Sequence, residues 1–157
     1  MHEESAGKPE TQHEKELRRA RIRFENQFLK QYKFICATAI VPVLQSYRDK
    51  LDNSGYYCRI LRWYIPKGSG CRAMPCIGFS IGGRAYIRFT ADSDSKIVRA
   101  TRDTLISRFS GEVETSSQVL TIGLGDLTRT IVEEEVGKYV EGRRKTVQPI
   151  RPAKISM

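Results

Sequence analysis

From His13 to Tyr47 the apolar residues Leu17, Phe24, Phe28, Ile35, Ala39, Val43 and Tyr47 recur at spacings of four and seven, which puts them on one stripe of a long helix. Helix formers and charges fill the other sides as far as Lys33, and beyond it the chain is apolar almost all round. That is the pattern of a helix passing from water into a core. Pro42 has no backbone donor and its ring collides with the carbonyl four residues back, so a kink or break is expected at 39–41. Asp52, Asn53, Ser54 and Gly55 form a strong stop signal.

The period then falls to two. Residues 56–65 read as a strand, with Cys58, Ile60 and Tyr64 on one face and Tyr57, Leu61, Trp63 and Ile65 on the other. Apolar residues on both faces predict a central or doubly covered strand. Residues 66–74 read as a loop. Residues 76–81 and 84–90 read as a hairpin, and a three-residue loop of Ile81, Gly82 and Gly83 keeps its core face apolar. It pairs Phe79 with Ala85 and Ile77 with Ile87, and puts Gly83 where a left-handed residue is needed. A turn at 92–95 starts the next strand, with Phe89 opposite Val98 and Ile87 opposite Ala100. Residues 103–117 have a weak pattern, and 118–124 form a candidate fifth strand at an edge. Gly125 and Asp126 offer a cap for a second helix over 127–142, whose inner stripe is Val132, Val136, Tyr139 and Val140. The fold class is therefore α+β: a long N-terminal helix, an antiparallel meander of four strands with a candidate fifth, and a C-terminal helix packed on the sheet. Residues 1–12 are expected to be a disordered tail, 13–142 a single domain and 143–157 a basic flexible tail.

Composition adds a direction rather than a fold. The 157 residues suit one domain, and 39% hydrophobic with 29% charged residues are globular values. Against 18 Asp and Glu stand 27 Lys and Arg, a net charge of +9 that favours anionic partners. Arg143, Arg144, Lys145, Arg151 and Lys154 supply five of those nine charges in the C-terminal segment. The first 23 residues are densely charged and lack the apolar core of a secretory signal. The apolar run 34–44 is about half the ~20 residues that span a bilayer. No membrane span and a cytoplasmic location are expected, with Cys36, Cys58, Cys71 and Cys76 as free thiols.

Catalytic chemistry is poorly supplied. The histidines, His2 and His13, lie in the tail and at the helix start, and no phosphate-loop, nucleophile-elbow or paired-histidine zinc motif is present. The chain is read as a non-enzyme without cofactor. Cys71 and Cys76 have a zinc-compatible spacing near Cys58, but a second ligand pair is lacking, so no metal is assigned. The glycines of 121–126 read as a turn and cap.

The most functional-looking feature is the face opposite the predicted core, which carries Arg84, Tyr86, Arg88 and Arg99. In the expected register Arg88 lies directly across from Arg99, a repulsive pair that calls for a covering anion or acid. With Arg143, Arg144 and Lys145, these residues form a candidate nucleic-acid surface. The competing expectation is that helices cover this face and Glu133, Glu134, Glu135, Asp49 or Asp52 neutralise it. Leu17, Phe24, Phe28 and Ile35 form a candidate homodimer seam. Two readings follow: a self-associating binding or adaptor protein for a protein or other anionic partner, and an RNA- or DNA-binding module.

Overall fold

A computed structural model describes residues 9–66, 73–109 and 111–152. It has a long N-terminal helix, a five-stranded antiparallel sheet and a C-terminal helix packed on that sheet, the α+β arrangement expected. Cys71, His2 and Lys154 lie outside the described residues.

Helix α1 (Gln12–Ile35) starts at a capping box: Thr11 Oγ1 accepts the Glu14 amide and the Glu14 carboxylate accepts the Thr11 amide. It runs without a break through a π turn (Cys36–Ile40) into α2 (Val41–Asn53). In the π turn the Val41 amide reaches back to the Cys36 carbonyl, five residues away. Pro42 therefore does not end the helix; the extra residue of the wider turn absorbs its missing donor and bulky ring. Together the three segments span about 60 Å at ~1.5 Å per residue.

The strands are β1 (Cys58–Pro66), β2 (Ala73–Ile81), β3 (Ile87–Asp92), β4 (Ile97–Arg108) and β5 (Gly111–Gly123), in spatial order β1-β2-β3-β4-β5. So β1 is an edge strand, not a central one. Its second apolar face is explained within the sheet: Trp63 lies against Gly78 of β2 and meets Tyr86 edge-on at 6.0 Å. The weak stretch 103–117 is strand as well. Beyond Arg102 the β4–β5 hairpin has no third strand beside it, so no apolar alternation is imposed there. Polar cross-strand pairs such as the Thr104 and Thr115 hydroxyls, 2.9 Å apart, occupy it instead.

Both hairpin registers differ from expectation by two residues. Phe79 pairs with Ile87 and Ile77 with Phe89; Phe89 pairs with Ala100 and Ala91 with Val98. A shift of two preserves every face, so the expected core residues Ile77, Phe79, Ile87, Phe89 and Val98 are all fully or almost fully buried. The longer β2–β3 loop that the shift requires is built from left-handed residues, Gly82 (φ 83°), Gly83 (φ 78°) and Ala85 (φ 56°). It is closed by the C-terminal helix α3 (Arg129–Arg144). The Ile81 amide donates to the Tyr139 hydroxyl (3.1 Å), which donates to the Ala85 carbonyl (2.5 Å). Arg143 donates to the Ile81 carbonyl at 3.0 Å. Two side chains from α3 thus replace backbone bonds that a tighter hairpin would have made itself.

Helix α3 begins two residues later than expected. Thr128, not Asp126, is its cap, with Oγ1 accepting the Ile131 amide, and Leu124–Asp126 form a 3-10 turn. Its buried Val132, Val136, Tyr139 and Val140 join Val43 and Leu44 of α2 over the sheet. Burying each large apolar side chain contributes about 1.5–3 kcal/mol, and these residues come from every layer of one continuous core. The helices pack on one face of the sheet. After α3 the chain turns back beside the end of α2: the Ile150 amide donates to Gly55 at 3.0 Å, and Arg151 pairs with Asp52.

Candidate functional site

The register decides the chemistry of the outer sheet face. Arg88 stands opposite Thr101 and Arg99 opposite Thr90, so the two arginines do not oppose each other. Each meets a carboxylate from the sheet itself rather than from a helix. Arg88 Nη2 lies 2.6 Å from Asp103 Oδ1, and Arg99 Nη1 lies 3.1 Å from Asp92 Oδ2. Asp103 also accepts from the Ser116 hydroxyl (2.5 Å) and from the Tyr86 amide (3.2 Å). Asp92 accepts the Asp94 amide within the β3–β4 turn. The acids are buried, with side chains 6% and 4% exposed, while the arginines retain 26% and 36%. What remains at the surface is a face of half-buried Trp63, Tyr86, Arg88 and Arg99, its two central arginines each paired with an aspartate, with Arg59 exposed on β1 and Arg84 exposed near the loop.

The other sequence-selected cations lie elsewhere. Arg143 is buried and holds the β2–β3 loop and the Thr146 hydroxyl. Arg144 sits over the Tyr56 ring at 5.8 Å. Lys145 is exposed and lines a groove of about 460 Å3 between β4 and the end of α3, together with Arg102 and Lys138. The seven residues proposed as one nucleic-acid surface are therefore divided between the two sides of the sheet. Arg102 escaped the sequence reading because an arginine in the row of Phe79 and Ile87 looks like a break in the core pattern.

The proposed seam on α1 is also divided. Phe28 is in the core, Ile35 packs against it, and Phe24 is half-buried with Lys96 4.5 Å above its ring. Leu17 alone is fully outside, on a stretch (residues 11–23) exposed at every position. That stretch carries Lys15, Arg18, Arg19, Arg21 and Arg23 against Glu14 and Glu16, a basic arm that the stripe-based reading overlooked.

The described thiols, Cys36, Cys58 and Cys76, are free. Burial pushes all three up, Cys58 from 9.0 to about 11, and it pushes the Tyr139 hydroxyl from 10.0 to about 12. These groups favour folding in their neutral forms. Their contribution is complete below the unfolded values and is lost as the pH rises from about 9 to 12. Stability measured by urea titration is expected to be level up to about pH 9 and to fall steadily above it. Tyr139→Phe should flatten the upper part of that fall; an unchanged slope would contradict the assignment.

Among the described residues no group of three His, Cys, Asp or Glu side chains is placed to hold a metal ion, and no helix is long and apolar enough to cross a membrane. No family model, curated protein or solved structure matches the chain.

Proposed function

We propose that this chain is a small non-enzymatic binding protein that recognises a protein partner through the outer face of its sheet. The observation that carries this reading is the pairing of Arg88 with Asp103 and Arg99 with Asp92 beside the Trp63–Tyr86 edge contact. Such pairing neutralises the two arginines at the centre of the face. It leaves a rigid surface of Trp, Tyr and Arg, the types that dominate the energetic centres of protein interfaces. The arginines keep donors in reserve on a planar fork already held in place, so a partner meets little further loss of side-chain freedom.

A second reading has its own support. The basic arm of α1 projects five cations that could follow a nucleic-acid backbone. The two readings differ in what each variant does. Affinity capture with the wild type and with Trp63→Ala is expected to show partner proteins lost from the variant but retained by an Arg19→Ala/Arg23→Ala chain. An electrophoretic shift with RNA and DNA at two salt concentrations is expected to show no complex. A salt-sensitive shift abolished by Arg19→Ala/Arg23→Ala and indifferent to Trp63→Ala would replace the first reading with the second. Light scattering tests self-association: a dimer dissociated by Leu17→Asp keeps it, and a monomer removes it.

A further inference from the structure

We propose that the groove between β4 and the C-terminal end of α3 is a binding site for a small organic phosphate. It lies on the helix side of the sheet, away from the outer docking face, so the two readings stand or fall separately. Its volume of about 460 Å3 is within the range of small-molecule sites. Arg102 and Lys145 line it, and among the described residues neither side chain has a hydrogen-bond or ion-pair partner. Lys138 adds a third cation, shared with Glu134 at 3.4 Å and Glu135 at 3.7 Å. Glu141 is the one lining carboxylate turned to this side, because the Asp103 carboxylate is bound to Arg88 on the other face. The positive excess is thus confined to a concave surface rather than spread over a solvated one.

Among the described residues no acid pairs with the Arg102 guanidinium. Arg102 continues the Phe79–Ile87 row, on the side of the sheet that the helices cover, and is only half-buried there. Gly142 gives an independent pointer. A glycine within a helix weakens it relative to any ordinary residue. Gly137, the preceding glycine of α3, is explained by the Tyr47 hydroxyl, which would lie 3.0 Å from an added Cβ. At Gly142 an added Cβ meets nothing within 4 Å, and the residue lines the groove. Packing therefore does not require the glycine, which leaves this part of the groove wall without a side chain. A guanidinium fork and a nearby ammonium suit a phosphate dianion, which takes a bidentate donor pair and a second positive charge.

Calorimetric titration of adenosine monophosphate, pyrophosphate and citrate into the full chain tests the site. Saturable binding of the two phosphates is expected, weakened at least tenfold by Arg102→Ala and by Lys145→Ala. Gly142→Phe should abolish binding while leaving the melting temperature equal or higher. If that variant does not fold, Arg102→Gln, which keeps the length of the side chain without the charge, serves in its place. Absence of saturable binding of adenosine monophosphate, whether or not pyrophosphate binds, affinities unchanged in the folded variants, or citrate binding as tightly as the phosphates would each overturn the assignment.

Discussion

Asp103→Ala is expected to destabilise the fold by about 3–5 kcal/mol, the range for removing one partner of a buried ion pair. Asp103 is 5% exposed and its carboxylate takes three donors from three parts of the sheet: Arg88 of β3, Ser116 of β5 and the Tyr86 amide before β3. Without it the Arg88 guanidinium, whose Nε already lacks a partner among the described residues, loses its carboxylate and retains the Ser116 hydroxyl. Denaturant unfolding monitored at Trp63 reads the effect directly, since that ring packs on Tyr86. A paired change, Arg88→Met with Asp103→Leu, is expected to recover most of the loss, because both charges then leave together. If Asp103→Ala costs under about 1 kcal/mol, the pair is a surface contact and the outer face is not rigid.

Tyr139→Phe is the second large effect, expected at about 2–4 kcal/mol. The ring would keep its edge-on contact with Phe79 at 6.1 Å, so nearly all of the loss belongs to the hydroxyl. Removing it leaves the Ile81 amide and the Ala85 carbonyl unpaired in a buried place, each costing about 1–3 kcal/mol. Equilibrium unfolding gives the magnitude, and amide exchange at Ile81 gives the mechanism. Exchange there should accelerate far more than at Phe79, whose amide lies within the ladder. Equal acceleration at both would mean global destabilisation and no special role for the hydroxyl.

Much of this architecture was legible in the residues. The alternation of Ile77, Phe79 and Ile81 and of Ile87, Phe89 and Ala91 settles which side faces the core, because a strand repeats every two residues whatever its partner. The α3 stripe of Val132, Val136, Tyr139 and Val140 is equally plain, as its period is a property of the helix alone. Register was not legible. Slipping by two leaves the alternation intact, and the choice between a tight and a wide loop rests on the Tyr139 hydroxyl, 58 residues from the Ile81 amide it accepts. The same slip separates Arg88 from Arg99 and carries each to its aspartate, so an expected electrostatic conflict became two ion pairs.

The groove follows the same division. Gly142, Lys145 and Arg102 are each readable as residues, yet their approach depends on α3 crossing the β2–β3 loop where β4 outruns β3. Outside residues 103–117, element types, faces and excess positive charge come from local periodicity and composition, so the sequence alone determined them. Registers, the π turn that accommodates Pro42, the edge position of β1 and the partner of every arginine depend on contacts between distant segments. Only the tertiary structure decided those, because several arrangements satisfy the same alternation and one of them satisfies the buried polar groups as well.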